Sequence, residues 1–334
     1  MLYRLLRPIL FQLDPERAHT LGIAAAKALS HRRLLSAFVR NCLARPRVSP
    51  RTVAGLNFDN PIGLAAGLDK NAEAARAWWA FGFGFAELGT VTPRPQAGKD
   101  KPRLFRFPEK SALVNRMGFN NDGAQAVAAR LKQITERGLR PPFPIGLSIG
   151  KNADTPAEQA ADDYALVATA LAPHADYLAI NVSSPNTAGL RGLQMPAELT
   201  KVLRAVRASA GGKPLFVKVA PELTGADLSA VLETCGIEGA SGIIATNTLA
   251  TLGKDGLPEG GLSGLPLRQL SLSRVTDVRR IIGDKLALIG CGGIFDSASA
   301  DAMFDAGADL IQLYTGLIYR GPFLAARISR SLPA

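Results

Sequence analysis

The chain has 334 residues, 47% of them hydrophobic, and 39 Lys and Arg against 28 Asp and Glu give it a net charge of +11. That apolar content builds a large core and excludes a disordered chain, and the three cysteines, Cys42, Cys235 and Cys291, lie too far apart for a CxxC pair or a metal-ligand set, which points to a reducing compartment and no metal. No apolar run reaches the ~18–20 residues that span a bilayer, and Arg4 and Arg7 interrupt the first apolar stretch, so neither a membrane span nor a signal peptide is expected.

The charge is unevenly spread. Residues 1–51 hold ten Lys and Arg against Asp14 and Glu16, so +8 of the +11 sits in that segment. A basic segment of this kind suits an anionic surface, either membrane or nucleic acid. Residues 2–13, LYRLLRPILFQL, are mostly apolar. Asp14-Pro15-Glu16 then reads as a helix start, with Asp14 as N-cap and Pro15 in the first helical position. Ala18, Leu21, Ala25 and Leu29 recur at helical spacing, and residues 32–42 predict another short helix. Two readings follow: a helical extension packed on the main domain, or a helical pair whose apolar face lies in a membrane interface with arginines at anionic headgroups.

From Thr52 onward, short apolar runs alternate with longer amphipathic stretches. Eight strands are expected, at 62–67, 85–92, 144–150, 177–184, 215–221, 242–248, 286–294 and 310–316. Between them lie helical patterns at 72–81, 123–137, 156–171, 196–208, 225–235, 267–282 and 297–306. Strands that are continuously apolar and followed by helices indicate a parallel sheet covered on both faces. Eight such units predict an α/β fold, a (β/α)8 TIM barrel with an N-terminal helical extension; a doubly wound open sheet is the alternative. No composition break divides residues 52–334, so the expected organisation is a helical segment over 1–51 and one barrel over 52–334.

In such a barrel the chemistry lies at the C-terminal ends of the strands. Polar residues stand at nearly all of them: Lys70, Thr90, Ser148, Asn181 to Asn186, Lys218, Thr246 to Thr248, and Tyr314-Thr315. Gly292-Gly293 after the seventh strand and Thr315-Gly316 at the eighth occupy the usual phosphate position of these barrels. Phe81-Gly82-Phe83-Gly84 contains a GxG but precedes a strand, and so fails the dinucleotide fingerprint. His19, His31 and His174 lie away from the strand ends, which argues against a Ser-His-Asp triad. Asn115, Asn181, Asn186 and Asn247 are conspicuous, because side-chain amides offer both donors and an acceptor and suit a planar ring of alternating N–H and C=O groups, such as a pyrimidine. Lys70 would supply charge for a carboxylate.

Taken in order, LAAGLDKN, ELGTVTPRPQ, PRLFR, LVNRMGFNN, INVSSPNTAGLRGLQ, FVKVAPEL, ATNT, GGLSG and IGCGGI resemble the dihydroorotate dehydrogenases over almost the whole chain. The resemblance is to their class 2, quinone-dependent branch, since the base position carries serine where class 1 enzymes have cysteine, and since the chain has the N-terminal segment with LDPERAH. It implies a flavin barrel that holds FMN and oxidises dihydroorotate to orotate in pyrimidine synthesis. Ser184 would be the base for the C5 proton. Lys70, Asn115, Arg116, Met117, Gly118, Phe119, Asn181, Asn186, Asn247 and Thr248 would hold the substrate. Ala66, Gly67, Leu68, Asp69, Lys70, Thr90, Ser148, Asn181, Lys218, Thr246, Gly264, Gly293, Tyr314 and Thr315 would hold FMN. Ser148 departs from the asparagine that the family often has in the third strand. Thr187 and a water chain are both candidates to relay the proton of Ser184.

The reduced flavin needs an acceptor, and quinones live in lipid. The resemblance therefore makes the basic, leucine-rich N-terminus a membrane-facing lid over a quinone tunnel, with His19, Arg106 and Tyr314 near it. The expected location is the cytoplasmic side of the cell membrane, as a peripheral protein that binds no nucleic acid. Two other readings stay open: a related flavin barrel acting on uridine in RNA, and a barrel-derived binding module with no electron transfer.

Overall fold

The eight apolar runs form eight parallel strands: β1 (Ile62–Leu64), β2 (Phe85–Val91), β3 (Ile145–Ile149), β4 (Tyr177–Asn181), β5 (Leu215–Val219), β6 (Gly242–Ala245), β7 (Ala287–Cys291) and β8 (Leu310–Leu313). They are seen in a computed structural model that describes residues 2–253 and 256–332. Each strand pairs with the next in chain order, and β8 pairs back onto β1 with Ile311 beside Ile62, which closes the barrel and excludes an open doubly wound sheet. Strand positions are buried on both faces because helices cover the outside and side chains fill the inside. Inside, large rings oppose glycines. A Cβ on Gly63 would stand 2.2 Å from the Phe85 ring, and one on Gly146 would stand 2.0 Å from the Tyr177 ring. Those two glycines are space requirements of a densely packed interior.

Every strand ends earlier than the sequence suggested. The run over 177–184 stops being a strand at Asn181, and that over 310–316 stops at Leu313. Of the polar residues read as strand ends, Thr90, Ser148, Asn181 and Lys218 stay within the last two positions of their strands, whereas Lys70, Ser183 to Asn186, Thr246 to Thr248 and Tyr314 lie on the loops just beyond. The helices fall where periodicity placed them, such as Ala124–Glu136, Pro196–Ser209 and Arg268–Ile282. Two further helices, Thr315–Arg320 and Leu324–Ser329, close the chain.

An antiparallel sheet adds to the barrel, in the order Leu249–Thr251, Gly260–Gly264, Ala112–Asn115, Leu104–Phe107. It brings Asn115 opposite Gly261, residues that are far apart in sequence.

Three helices precede the barrel: α1 (Leu2–Gln12), α2 (Pro15–Ser30) and α3 (Arg33–Leu43). Asp14 caps α2, its carboxylate accepting the N–H groups of Glu16 and Arg17 at 3.0 Å each. The helices dock through polar anchors. Arg40, buried on α3, donates to the carbonyls of Trp79 and Phe83. Ser30 accepts Ala77 N–H, and Arg76 donates to Ser36. α1 meets the helix Thr315–Arg320 through an edge-on contact of Phe11 with Tyr319, ring centroids 5.4 Å apart. No helix among the described residues is long and apolar enough to cross a membrane.

Candidate active site

At the C-terminal ends of the strands lies a cavity of about 1000 Å³, its mouth included. One wall is a set of amides and hydroxyls that bond to one another. Asn181, the last residue of β4, donates to Thr90 Oγ1 at 2.8 Å, and Thr90 shares a hydrogen bond with Ser148 Oγ at 2.9 Å. Asn247 Nδ2 donates to Asn181 Oδ1 at 3.2 Å and to Ser183 Oγ at 2.9 Å. Asn186 Nδ2 donates to Asn115 Oδ1 at 3.1 Å, and Asn115 donates to the Gly261 carbonyl. Each amide is oriented on one side by its neighbours and keeps capacity for a ligand on the other. Ser184 lies among them, its Oγ accepting Asn186 N–H at 3.2 Å. Among the described residues no carboxylate or imidazole bonds to that hydroxyl. Thr187 Oγ1 is buried nearby in sequence with no protein partner.

Charge stands beside this wall, since Lys218 on β5 is the register partner of Asn181 on β4. Burial opposes the charge on Lys218, but Glu87, with Cys291 adding, outweighs it and raises the lysine pKa. Lys218 Nζ stands 3.4 Å from Glu87 Oε1, and Gln312 donates to the other carboxylate oxygen at 2.7 Å. Lys218, Gln312 and Cys291 all line the cavity. An ammonium has three donors, so Lys218 can serve a ligand while still paired with Glu87. Around the far end stand Gly264, Gly292, Gly293, Thr315 and Gly316, and Thr315 donates to Ser263 at 2.8 Å. Gly67 has a left-handed φ of +99°, and the Tyr314 hydroxyl reaches its carbonyl at 3.4 Å. Burial pushes the Tyr314 phenol up to about 12, so it stays protonated.

Lys70 lines the cavity on the side nearest the N-terminal helices. Burial, with Arg103 adding and Glu16 and Asp69 opposing, brings its pKa down to about 8. His19 on α2 is pushed down to about 4, by burial first and then by Lys70, so it is neutral near pH 7. Arg106 stacks on Phe11 at 4.3 Å and donates to the carbonyls of Leu10 and Leu13. These two residues belong to the interface between the helices and the barrel mouth and do not line the cavity itself.

Against known families, residues 49–334 match the dihydroorotate dehydrogenase profile. The chain belongs to the dihydroorotate dehydrogenase family. It is similar over its full length to the dihydroorotate dehydrogenase (quinone) of Methylococcus capsulatus, 46% identical with all of both chains covered. That of Acidithiobacillus ferrooxidans is 47% identical, with 100% of this chain and 95% of the relative covered. Among solved structures, the Eimeria tenella dihydroorotate dehydrogenase in complex with ferulenol superposes with a TM-score of 0.84 at 33% identity, covering 96% of this chain and 93% of that one. These relatives put the chain in the quinone-dependent class.

Most residues that the dihydroorotate dehydrogenase motifs nominate do converge: Ala66, Gly67, Lys70, Thr90, Asn115, Met117, Gly118, Phe119, Asn181, Ser184, Asn186, Lys218, Thr246, Asn247, Thr248, Gly264, Gly293, Tyr314 and Thr315 all line the one cavity. Four do not. The Asp69 carboxylate is fully buried on the far side, accepting the N–H groups of Glu73 and Ala74 and the Trp78 indole. Leu68 is buried in the core cluster. Arg116 faces outward, donating to the Pro102 carbonyl and lying over the Phe105 ring. Ser148 is buried behind Thr90, which it props. Glu87, Ser263 and Gln312 were not nominated from the sequence, although Glu87 opens ELGTVTPRPQ and Ser263 lies in GGLSG. A lone acid inside the apolar strand FAELGTV demands a buried partner, and the lysine in LFVKV offers one; that signal was present in the sequence.

Proposed function

We propose that this cavity binds FMN and dihydroorotate together, and that the chain oxidises dihydroorotate to orotate and delivers the electrons to a membrane quinone. The observation that carries this reading is the cross-bonded amide wall with the Lys218 ammonium, itself paired with Glu87, beside it in one cavity. Amides suit the N–H and C=O edge of a pyrimidine, and the ammonium of Lys70 suits its carboxylate.

The residues present fit FMN. Gln312 Oε1 is buried in the cavity wall without a protein partner, and glycines cluster at the end where backbone N–H groups can meet a phosphate. Lys218, Thr90, Asn181, Thr246, Gly264, Gly293 and Thr315 would hold the cofactor. FMN, when bound, supplies the hydride acceptor and the link to the quinone. The chain's own share is positioning, charge and one proton. Ser184 takes the C5 proton as the C6 hydride departs, leaving the C5=C6 double bond of orotate. Its own proton is handed on as it does so, and Thr187 Oγ1, buried without a partner, is the next station in this reading. Lys218 places positive charge where negative charge develops on the reduced cofactor.

Residues 1–51 act as the lid and membrane contact, and residues 52–334 as the catalytic barrel. Among the described residues, eight of the fourteen exposed large hydrophobic side chains fall in residues 5–43, including Leu34 at 86% exposure and Leu5 at 73%. Exposed leucines beside arginines suit a bilayer surface. In this reading the surface is the cytoplasmic side of the cell membrane, a location that three unpaired cysteines suit.

The test is the half-reaction. Dihydroorotate added without oxygen should bleach the bound flavin of the wild type, and Ser184→Ala should retain flavin but reduce it about 10²–10⁴-fold more slowly. Near-normal reduction in Ser184→Ala would remove Ser184 from this role.

A further inference from the structure

The N-terminal layer and the substrate side of the cavity meet at a half-buried ion pair, with Lys101 also 3.6 Å from its carboxylate. Glu16, in the first turn of α2, meets Arg103 Nη2 at 2.8 Å, and the two side chains are only 15% and 9% exposed. Arg103 then uses its remaining nitrogen on the loop before it, donating to Ala97 O at 2.6 Å and Lys99 O at 2.8 Å. That loop lies directly on the segment that lines the cavity: Lys99 N–H donates to Met117 O at 3.1 Å, and Arg116 N–H donates to Arg103 O at 2.8 Å. The fit leaves no slack, because a Cβ on Gly98 would stand 2.2 Å from Met117 O. Arg103 and Glu16 also act electrostatically on Lys70.

We propose that the Glu16–Arg103 pair is a clasp through which the N-terminal helices set the position of the pyrimidine-binding segment around Met117, so that Glu16 and Arg103 are positioning residues for dihydroorotate. The proposal rests on the reading of that wall as the substrate side. Neither residue lines the cavity, and both act through backbone. A guanidinium is the group for this task, since its planar fork holds a carboxylate and two carbonyls at once. Coupling of this kind is reciprocal: whatever lifts or tightens α2 changes pyrimidine affinity, and bound pyrimidine changes the seating of α2 by the same factor.

A control lies on the same helix. Lys27 pairs with Glu73 at 2.7 Å and also ties α2 to the barrel, yet it has no path to Met117 through this loop. Calorimetry of orotate binding to the purified flavin-loaded protein separates the cases. Glu16→Gln should weaken orotate about tenfold. Lys27→Gln should leave orotate affinity at the wild-type value. Flavin reduction at saturating dihydroorotate should stay within about twofold of wild type in both, the sign of lost ground-state positioning without lost chemistry. Should Glu16→Gln fail to hold flavin, Arg103→Lys is the second variant; it keeps the charge but cannot grip all three partners, and carries the same expected loss. Wild-type orotate affinity in these variants would overturn the clasp, as would equal weakening in Lys27→Gln, which would mean general loosening of α2. A wild-type protein that does not bind orotate would instead defeat the functional reading beneath it.

Discussion

The barrel mouth and the N-terminal layer solve opposite problems. At the mouth, polar side chains are buried and bonded to one another, as in the run from Asn247 through Asn181 and Thr90 to Ser148. Such a wall is fixed before any ligand arrives. In the layer, large apolar side chains such as Leu34 and Phe38 stay exposed, as do Arg32 and Arg33, while Arg40 on α3 is buried. On the proposed function, small molecules complete the mouth, and something apolar and extended completes the layer.

Removing the layer breaks the comparison most severely. Deleting residues 1–45 should release the protein from liposomes containing anionic lipid and lower quinone turnover by an order of magnitude or more, with flavin reduction by dihydroorotate affected much less. Unchanged liposome binding, measured by co-sedimentation, would remove the layer from the membrane.

A smaller effect sharpens the electrostatics of the mouth. Lys70, brought down to about 8 by burial and by Arg103, is charged below that pH and neutral above it in the free protein. Affinity for a carboxylated substrate is therefore present at neutral pH and lost as pH rises through about 8. The ratio kcat/KM for dihydroorotate should fall about tenfold per pH unit beyond the break, while kcat holds to higher pH because a bound carboxylate favours the ammonium. Lys70→Met should abolish the break; a wild-type profile flat from about pH 7 to 9 would show that Lys70 does not govern binding. Smallest is Ser148→Ala, which removes only the prop behind Thr90 and should weaken FMN retention a few-fold, worth about 1 kcal/mol. Fluorescence titration of the apoprotein would show this, and an unchanged affinity would make Ser148 a packing residue alone.

Much of the mouth was legible because parallel strands buried on both faces leave long apolar runs, so any amide or hydroxyl at their ends stands out. Asn181, Asn186 and Asn247 were read this way. The antiparallel sheet was not, because its strands Leu104–Phe107 and Gly260–Gly264 are short, mix glycine with basic and polar residues, and pair across the fold. Glu87 was passed over because its partner Lys218 is 131 residues away. The side chains of Ser148 and Asp69 fall outside the cavity lining for a related reason: a motif names a stretch of chain, but alternation and loop geometry decide which side chains face the cavity. The clasp at Arg103 was invisible for the same cause, since its guanidinium joins a helix start 87 residues earlier to carbonyls a few residues away.

The central claim is that one cavity passes electrons from a pyrimidine to a quinone. An acceptor screen on the purified, full-length protein tests it directly. The account predicts a yellow protein that oxidises dihydroorotate to orotate with a quinone analogue and is inert with fumarate or NAD⁺. A colourless protein, or turnover with fumarate or NAD⁺ in place of the quinone, would contradict it.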